Sequence, residues 1–191
     1  MQSNVAVIVG SLRQAGYSRL MARAIARLAP PSMRLVDVPI GDLPLYNEDL
    51  ETATPPAAWT GFREAIAGCE AVLFVTPEYN RSMPGAMKNA LDVGSRPWGK
   101  SVWSGKPAAV VSVSPGALGG MASNLHLRQV LYAVNLVTMP HPEAYIAAAG
   151  SLFDEGGQLA SAATREFLTG FLQAFETWIR RQRPALAGFG D

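Results

Sequence analysis

Val5-Ala6-Val7-Ile8-Val9-Gly10-Ser11-Leu12-Arg13-Gln14-Ala15-Gly16-Tyr17-Ser18 passes from an unbroken apolar, β-branched run into a polar loop bounded by glycines. A run this continuous predicts a parallel strand buried on both faces, because a strand with one wet face alternates. After the loop, Leu20, Met21, Ala24, Ile25 and Leu28 recur at helical spacing until Pro30-Pro31 stops the helix. A strand, loop and helix in this order converge backbone N–H groups and the positive end of a helix dipole on one point. Ser11 and Ser18 add hydroxyl donors and Arg13 a bidentate charge, so phosphate is the natural ligand. The plainer reading of the same residues makes Ser18 a helix N-cap, Arg13 a solvated side chain and the glycines turn formers.

The pattern repeats along the chain. Leu35 to Val38 predicts a second strand, followed by a long irregular stretch through Leu43-Pro44-Leu45-Tyr46-Asn47 to Pro55-Pro56. A helix from Ala57 to Ala67 leads into the strand Ala71 to Thr76, which ends in Pro77-Glu78-Tyr79-Asn80. Pro84 suits a first helical position and opens a helix from Gly85 to Val93. Pro107 to Val113 predicts the fourth strand, closed by Ser114-Pro115-Gly116 and Gly119-Gly120, and a helix follows through Leu125, Leu127, Val130 and Leu131. Leu136 to Met139 is the expected fifth strand, and Leu159, Ala163, Phe167, Phe171, Phe175 and Trp178 mark a closing amphipathic helix.

Strands alternating with helices five times predict an α/β three-layer sandwich, with helices on both faces of a five-stranded parallel sheet. The expected strand order is 2-1-3-4-5, the flavodoxin-like arrangement, and its ligand crevice lies beyond the carboxyl ends of strands one and three. Residues 1–184 are expected to form a single domain and 185–191 a frayed tail.

Composition excludes several functions. The chain has 191 residues, 49% of them hydrophobic and 16% charged, with a net charge of +1. The interspersed charges leave no basic face for nucleic acid and no polybasic membrane anchor. The limited polar surface favours an oligomer. Cys69 is the only cysteine, so no internal disulfide forms and a reducing cytoplasm is the expected location. His126 and His141 are the only histidines, too few and too far apart for a proposed metal site.

Elimination answers part of the question of which phosphate ligand this is. The first loop lacks both the Gly-Lys-Ser/Thr ending of a Walker loop and the GxGxxG of a dinucleotide fold, so neither ATP nor Rossmann-bound NAD is indicated. A phosphatase would need its cysteine in this loop, whereas Cys69 precedes the third strand and reads as a buried, inert thiol. Pro77-Glu78-Tyr79-Asn80 sits where a flat ring would lie if its phosphate occupied the first loop, with Tyr79 packing on the ring and Asn80 bonding its polar edge. The alternative for this tetrapeptide is a proline-led turn. The small residues from Ser114 to Gly120 allow close backbone approach or simply form a turn.

Taken together, Gly10-Ser11-Leu12-Arg13, Pro44-Leu45-Tyr46-Asn47, Pro77-Glu78-Tyr79-Asn80 with Ser82, Pro84-Gly85, Lys88-Asn89-Ala90-Leu91-Asp92, Gly119-Gly120 and His126-Leu127-Arg128-Gln129 give the chain a resemblance. It resembles the NADPH-dependent FMN reductase family, in its quinone and chromate reductase branch. That resemblance implies FMN as cofactor and NADPH or NADH as hydride donor. The implied acceptor is a small molecule such as a quinone, free flavin, azo compound or metal oxyanion. It implies that Ser11, Arg13, Tyr17 and Ser18 hold the FMN phosphate, that Pro77, Glu78, Tyr79 and Asn80 line the isoalloxazine, and that Ser114 and Gly116 approach its other side. It also implies a homodimer or homotetramer, in which Arg128 and Glu143 meet across a contact; the alternative for this pair is two ordinary solvated charges. Relatives often carry Ser and Asn where this chain has Gly16 and Ser18. No side-chain acid or base is expected to be essential, because the cofactor carries the hydride chemistry. The alternatives are a flavodoxin-like electron carrier and a non-catalytic flavin-binding regulator.

Overall fold

A computed structural model describes residues 2–186. The strands are β1 (Ser3–Val9), β2 (Met33–Asp37), β3 (Ala71–Thr76), β4 (Pro107–Val113), β5 (Val137–Thr138) and β6 (Ala144–Ile146). The helices are α1 (Tyr17–Leu28), α2 (Ala57–Ala67), α3 (Gly85–Gly94), α4 (Met121–Ala133) and α5 (Ala162–Leu186). The sheet runs β2-β1-β3-β4-β5 and every pairing is parallel, so the expected order holds.

One correction concerns the sheet's fifth position. Leu136 to Met139 was expected to fill it as one strand, but β5 is only Val137–Thr138, paired with Pro107 and Ala108. A sixth strand, β6, pairs with the other half of β4, from Val111 to Val113. Pro140 and Pro142 separate the two pieces; neither offers an N–H to a ladder, so one continuous strand cannot cross them. At the other end of the chain, α5 runs to Leu186, so the boundary expected at residue 184 falls within a helix. Residues 187–191 lie outside the described residues.

Alternate side chains of the central strands point into two cores. Val5, Val7, Val9, Leu73, Val75, Ala109 and Val111 face α1 and α5, where Met21, Ile25, Leu168, Phe171, Leu172 and Phe175 cover them. Ala6, Ile8, Val72, Phe74, Ala108 and Val110 face α2, α3 and α4. The buried stripe of α5 is displaced from the expected one: Phe167 is partly exposed, and Leu159 lies ahead of the helix, bridged to Phe153.

Trp103 anchors the second core. It is fully buried, packs on Phe62 and Phe74, and its indole N–H donates to the Leu91 carbonyl at 2.9 Å. Gly94 ends α3 directly against this ring, where a Cβ would fall 2.5 Å from the indole. Trp98 is instead solvent-facing, under the Arg96 guanidinium.

The long stretch after β2 is fixed by one buried side chain. Asn89 on α3 accepts from the Tyr46 N–H at 2.8 Å and donates to the carbonyls of Leu43 and Pro44. Trp59 also donates to Pro44, and Arg63 pairs through both guanidinium arms with Glu51. The Pro44-Leu45-Tyr46-Asn47 and Lys88-Asn89 motifs are thus two halves of one contact.

Candidate functional site

The carboxyl ends of β1, β3 and β4 are adjacent in the sheet, so the loops that follow them share one edge. They also touch. A Cβ on Gly10 would lie 3.2 Å from Pro77, and one on Gly120 would lie 3.7 Å from Glu78.

In the first loop the buried Ser11 hydroxyl accepts from the Arg13 N–H at 3.3 Å, and the Gly16 N–H closes on the Arg13 carbonyl at 3.1 Å. Gly16, not Ser18, is the N-cap of α1. Ser18 sits within the first turn, buried, and its hydroxyl has no hydrogen-bond partner among the described residues. The N–H groups of Gln14, Ala15, Tyr17 and Ser18 likewise find no acceptor there. Unfilled donors at a helix N-terminus form an anion site, and a buried hydroxyl without a partner costs about 1–3 kcal/mol. Gly16 leaves little room: a Cβ there would meet the Ser11 Oγ at 2.8 Å, so the Ser11 hydroxyl would have to turn to accept one. Arg13 is exposed at the rim, free of any ion pair among the described residues.

The second loop is a tight turn. Tyr79 and Ser82 exchange N–H···O bonds of 2.9 Å, and Asn80 and Arg81 between them have φ of 50° and 65°. Two positive φ values in succession are the signature of a type I′ turn, and holding two non-glycine residues there stores strain. The Tyr79 ring is about half exposed beside it. Glu78, expected to face a bound ring, turns its carboxylate to α4 instead. It accepts from the Ser123 N–H at 3.3 Å, and Arg81 lies 3.6 Å away. The helix has no side-chain cap of its own at Gly120, so Glu78 supplies the negative charge that its N-terminus favours.

In the third loop the Ser114 hydroxyl accepts from the Gly116 N–H at 3.1 Å, and the Ser114 carbonyl accepts from the Ala149 N–H. The Gly116 carbonyl accepts from Ala148. Gly119 and Gly120 follow with φ of 59° and 76°.

Sequence reasoning missed a fourth wall, residues 147–153. This segment bonds to the third loop, and its Phe153 stacks on Tyr17 of the first loop at 6.4 Å between ring centres. A Cβ on Gly150 would lie 3.4 Å from the Tyr17 hydroxyl. The only sequence signal was a run of small residues, Ala147-Ala148-Ala149-Gly150, which any loop can carry. Ser123 was missed too, and so was Asn124, which donates to Ser112 and to the Ala144 carbonyl.

Two groups are shifted by their surroundings, Tyr145 beside the third loop and Cys69 at the opposite edge of the sheet, ahead of β3. Burial and a hydrogen bond to Glu143 push the Tyr145 phenol up to about 12. Burial raises the Cys69 thiol above its ordinary value although Lys106 opposes it, which keeps the thiol protonated and inert. Arg128 is tied within its own chain, to Asn124 and the Met139 carbonyl. Among the described residues no cluster of His, Cys, Asp or Glu could hold a metal ion, and no helix is long and apolar enough to cross a membrane.

Known proteins match this arrangement over most of its length. The profile of the NADPH-dependent FMN reductase family matches residues 3–151. A quinone reductase from Pseudomonas putida is 57% identical over 180 residues, covering 94% of this chain and 96% of that one. A 2-hydroxy-1,4-benzoquinone reductase from a Burkholderia species is 44% identical, covering 96% of this chain and all of that one. Among solved structures, FerB, a flavoenzyme NAD(P)H:(acceptor) oxidoreductase from Paracoccus denitrificans, is 40% identical, with a TM-score of 0.89 over 94% of this chain and 98% of that one. With its sheet order and these relatives in agreement, the chain belongs to the NADPH-dependent FMN reductase family.

Proposed function

We propose that this oxidoreductase takes hydride from NADPH or NADH and passes the electrons through FMN to a small quinone, with the FMN phosphate in the Gly10–Ser18 loop. Quinones come first among acceptors because the relatives above are named for them. Free flavins, azo compounds and metal oxyanions are further acceptors of the same flat or oxidising kind. The observation that carries the site is the buried, unpartnered Ser18 hydroxyl beside unfilled N–H groups at the start of α1.

Bound FMN supplies the hydride-accepting and electron-donating chemistry. The chain's own task is to bind and orient. Ser11, Arg13, Tyr17 and Ser18 take the phosphate: hydroxyls and N–H groups from within, the Arg13 charge from the rim. Pro77, Glu78, Tyr79 and Asn80 take the ring along their backbone, with the Tyr79 side chain packing on it, while Ser114 and Gly116 close the opposite side. No side chain is assigned as general acid or base.

The test is optical and anaerobic. Purified protein is expected to carry or take up FMN, and NADPH or NADH is expected to bleach its visible band, with a quinone restoring it. Flavin that neither nucleotide bleaches would make the protein a carrier or sensor. If donor and acceptor use one flavin face in turn, double-reciprocal plots at varied quinone run parallel; intersecting lines would overturn that scheme.

We also propose that the protein works as a homodimer or homotetramer in the cytoplasm, where its one cysteine stays reduced. Met121, Leu125 and Tyr132 are exposed along one face of α4, with Leu118 just ahead of it. Leu125→Glu places a charge on that face and is expected to lower the mass measured by light scattering. An unchanged mass would remove α4 from the contact.

A further inference from the structure

We infer that Ser123, in the first turn of α4, positions the ring-bearing loop after β3, acting through Pro77 and Glu78 without touching the flavin. The inference rests on the flavin site proposed above and assigns a role to a residue outside it.

Ser123 is fully buried. Its hydroxyl donates to the Pro77 carbonyl at 2.9 Å and lies 3.2 Å from the Thr76 hydroxyl, which itself reaches the Pro77 carbonyl at 2.8 Å. Its backbone N–H is the donor that holds the Glu78 carboxylate. One residue therefore grips two successive members of the loop, from a helix 45 positions further along the chain. The loop's far end is held by the same helix, where His126 Nδ1 and the Ser82 hydroxyl are 2.8 Å apart.

Peptide geometry gives these bonds a consequence at the flavin. In a planar trans peptide the C=O and the N–H point in opposite directions. Fixing the Pro77 carbonyl toward Ser123 and Thr76 therefore fixes the Glu78 N–H on the side away from α4. That N–H has no acceptor among the described residues. It is a donor of set direction at the start of the ring loop, and the strained Asn80-Arg81 turn hangs between the two anchored ends. Preorganised backbone donors tune a bound ring most when they cannot swing away.

Ser123→Ala and Thr76→Val test this, since both are uncharged and remove one hydroxyl from the Pro77 carbonyl. Each is expected to bind FMN about 5-fold more weakly, the size of one lost neutral hydrogen bond. Each is also expected to shift the visible bands and the midpoint potential of the bound flavin, signatures that a loss of global stability does not produce. If Ser123→Ala does not fold, Thr76→Val decides. FMN bound by either variant with wild-type affinity, spectrum and potential overturns the inference while leaving the flavin site intact. A wild-type protein that takes up no FMN overturns both.

Discussion

Ser18→Ala is expected to stabilise the protein without FMN and to weaken its hold on FMN, two effects of opposite sign from one atom. The Ser18 hydroxyl is buried and makes no hydrogen bond among the described residues. Removing it relieves a desolvated donor, which is worth about 1 kcal/mol of apoprotein stability. The same hydroxyl, beside the unfilled N–H groups of the first turn of α1, is suited to a phosphate oxygen. A hydrogen bond to a charged group contributes about 1.5–3 kcal/mol, so FMN affinity is expected to fall about 10- to 100-fold. Urea unfolding of the apoprotein and fluorescence titration with FMN measure the two quantities. A Ser18→Ala protein that is less stable and binds FMN as before would return Ser18 to a packing role and remove the main support for the phosphate site.

Gly119→Ala is expected to cost about 3 kcal/mol or more and to loosen the site's third loop. A Cβ on Gly119 would stand 2.5 Å from the Tyr145 carbonyl carbon and 2.8 Å from the Ile146 nitrogen, both main-chain atoms of β6. Main chain in a sheet cannot turn aside as a flexible side chain does. Its φ of 59° adds the strain of a left-handed conformation, about 1 kcal/mol. Overpacking supplies the remaining cost. For a chain of this size the melting temperature would drop by about 6–12 °C. Gly61, inside α2 with nothing near its Cβ position, is the contrasting site, where alanine is expected to stabilise by about 0.5–1 kcal/mol. Equal melting temperatures for Gly119→Ala and wild type would mean that β6 and the third loop do not press on each other.

The parts of this structure legible in the sequence are those written in local periodicity. The buried runs of β1, β3 and β4 announce themselves because a strand covered on both faces needs no polar residue along its length. The position of the three loops then follows from sheet order alone. What was not legible depends on partners remote in the chain. Asn89 reads as an ordinary helical residue until the carbonyls of Leu43 and Pro44 lie against it. Ser123 has no meaning without Pro77, and the Glu78 side chain looks like a ring contact until the uncapped start of α4 supplies a better destination. The alternative reading of Ser18 as a helix cap fails because Gly16, two residues earlier, takes that place, and nothing in the sequence says so. Within β6, three residues behind two prolines carry too short a pattern for any period to be read.

The division of the sheet's last position into β5 and β6 has a consequence for how copies of this chain behave when crowded. A sheet margin with a long row of free N–H and C=O groups recruits strands from neighbouring molecules. Here that margin comes as one piece of two residues and one of three, with Pro140 and Pro142 between them. Neither fragment gives an incoming strand enough ladder to hold, so an apolar chain rich in β-branched strands keeps an inert flank against self-templating.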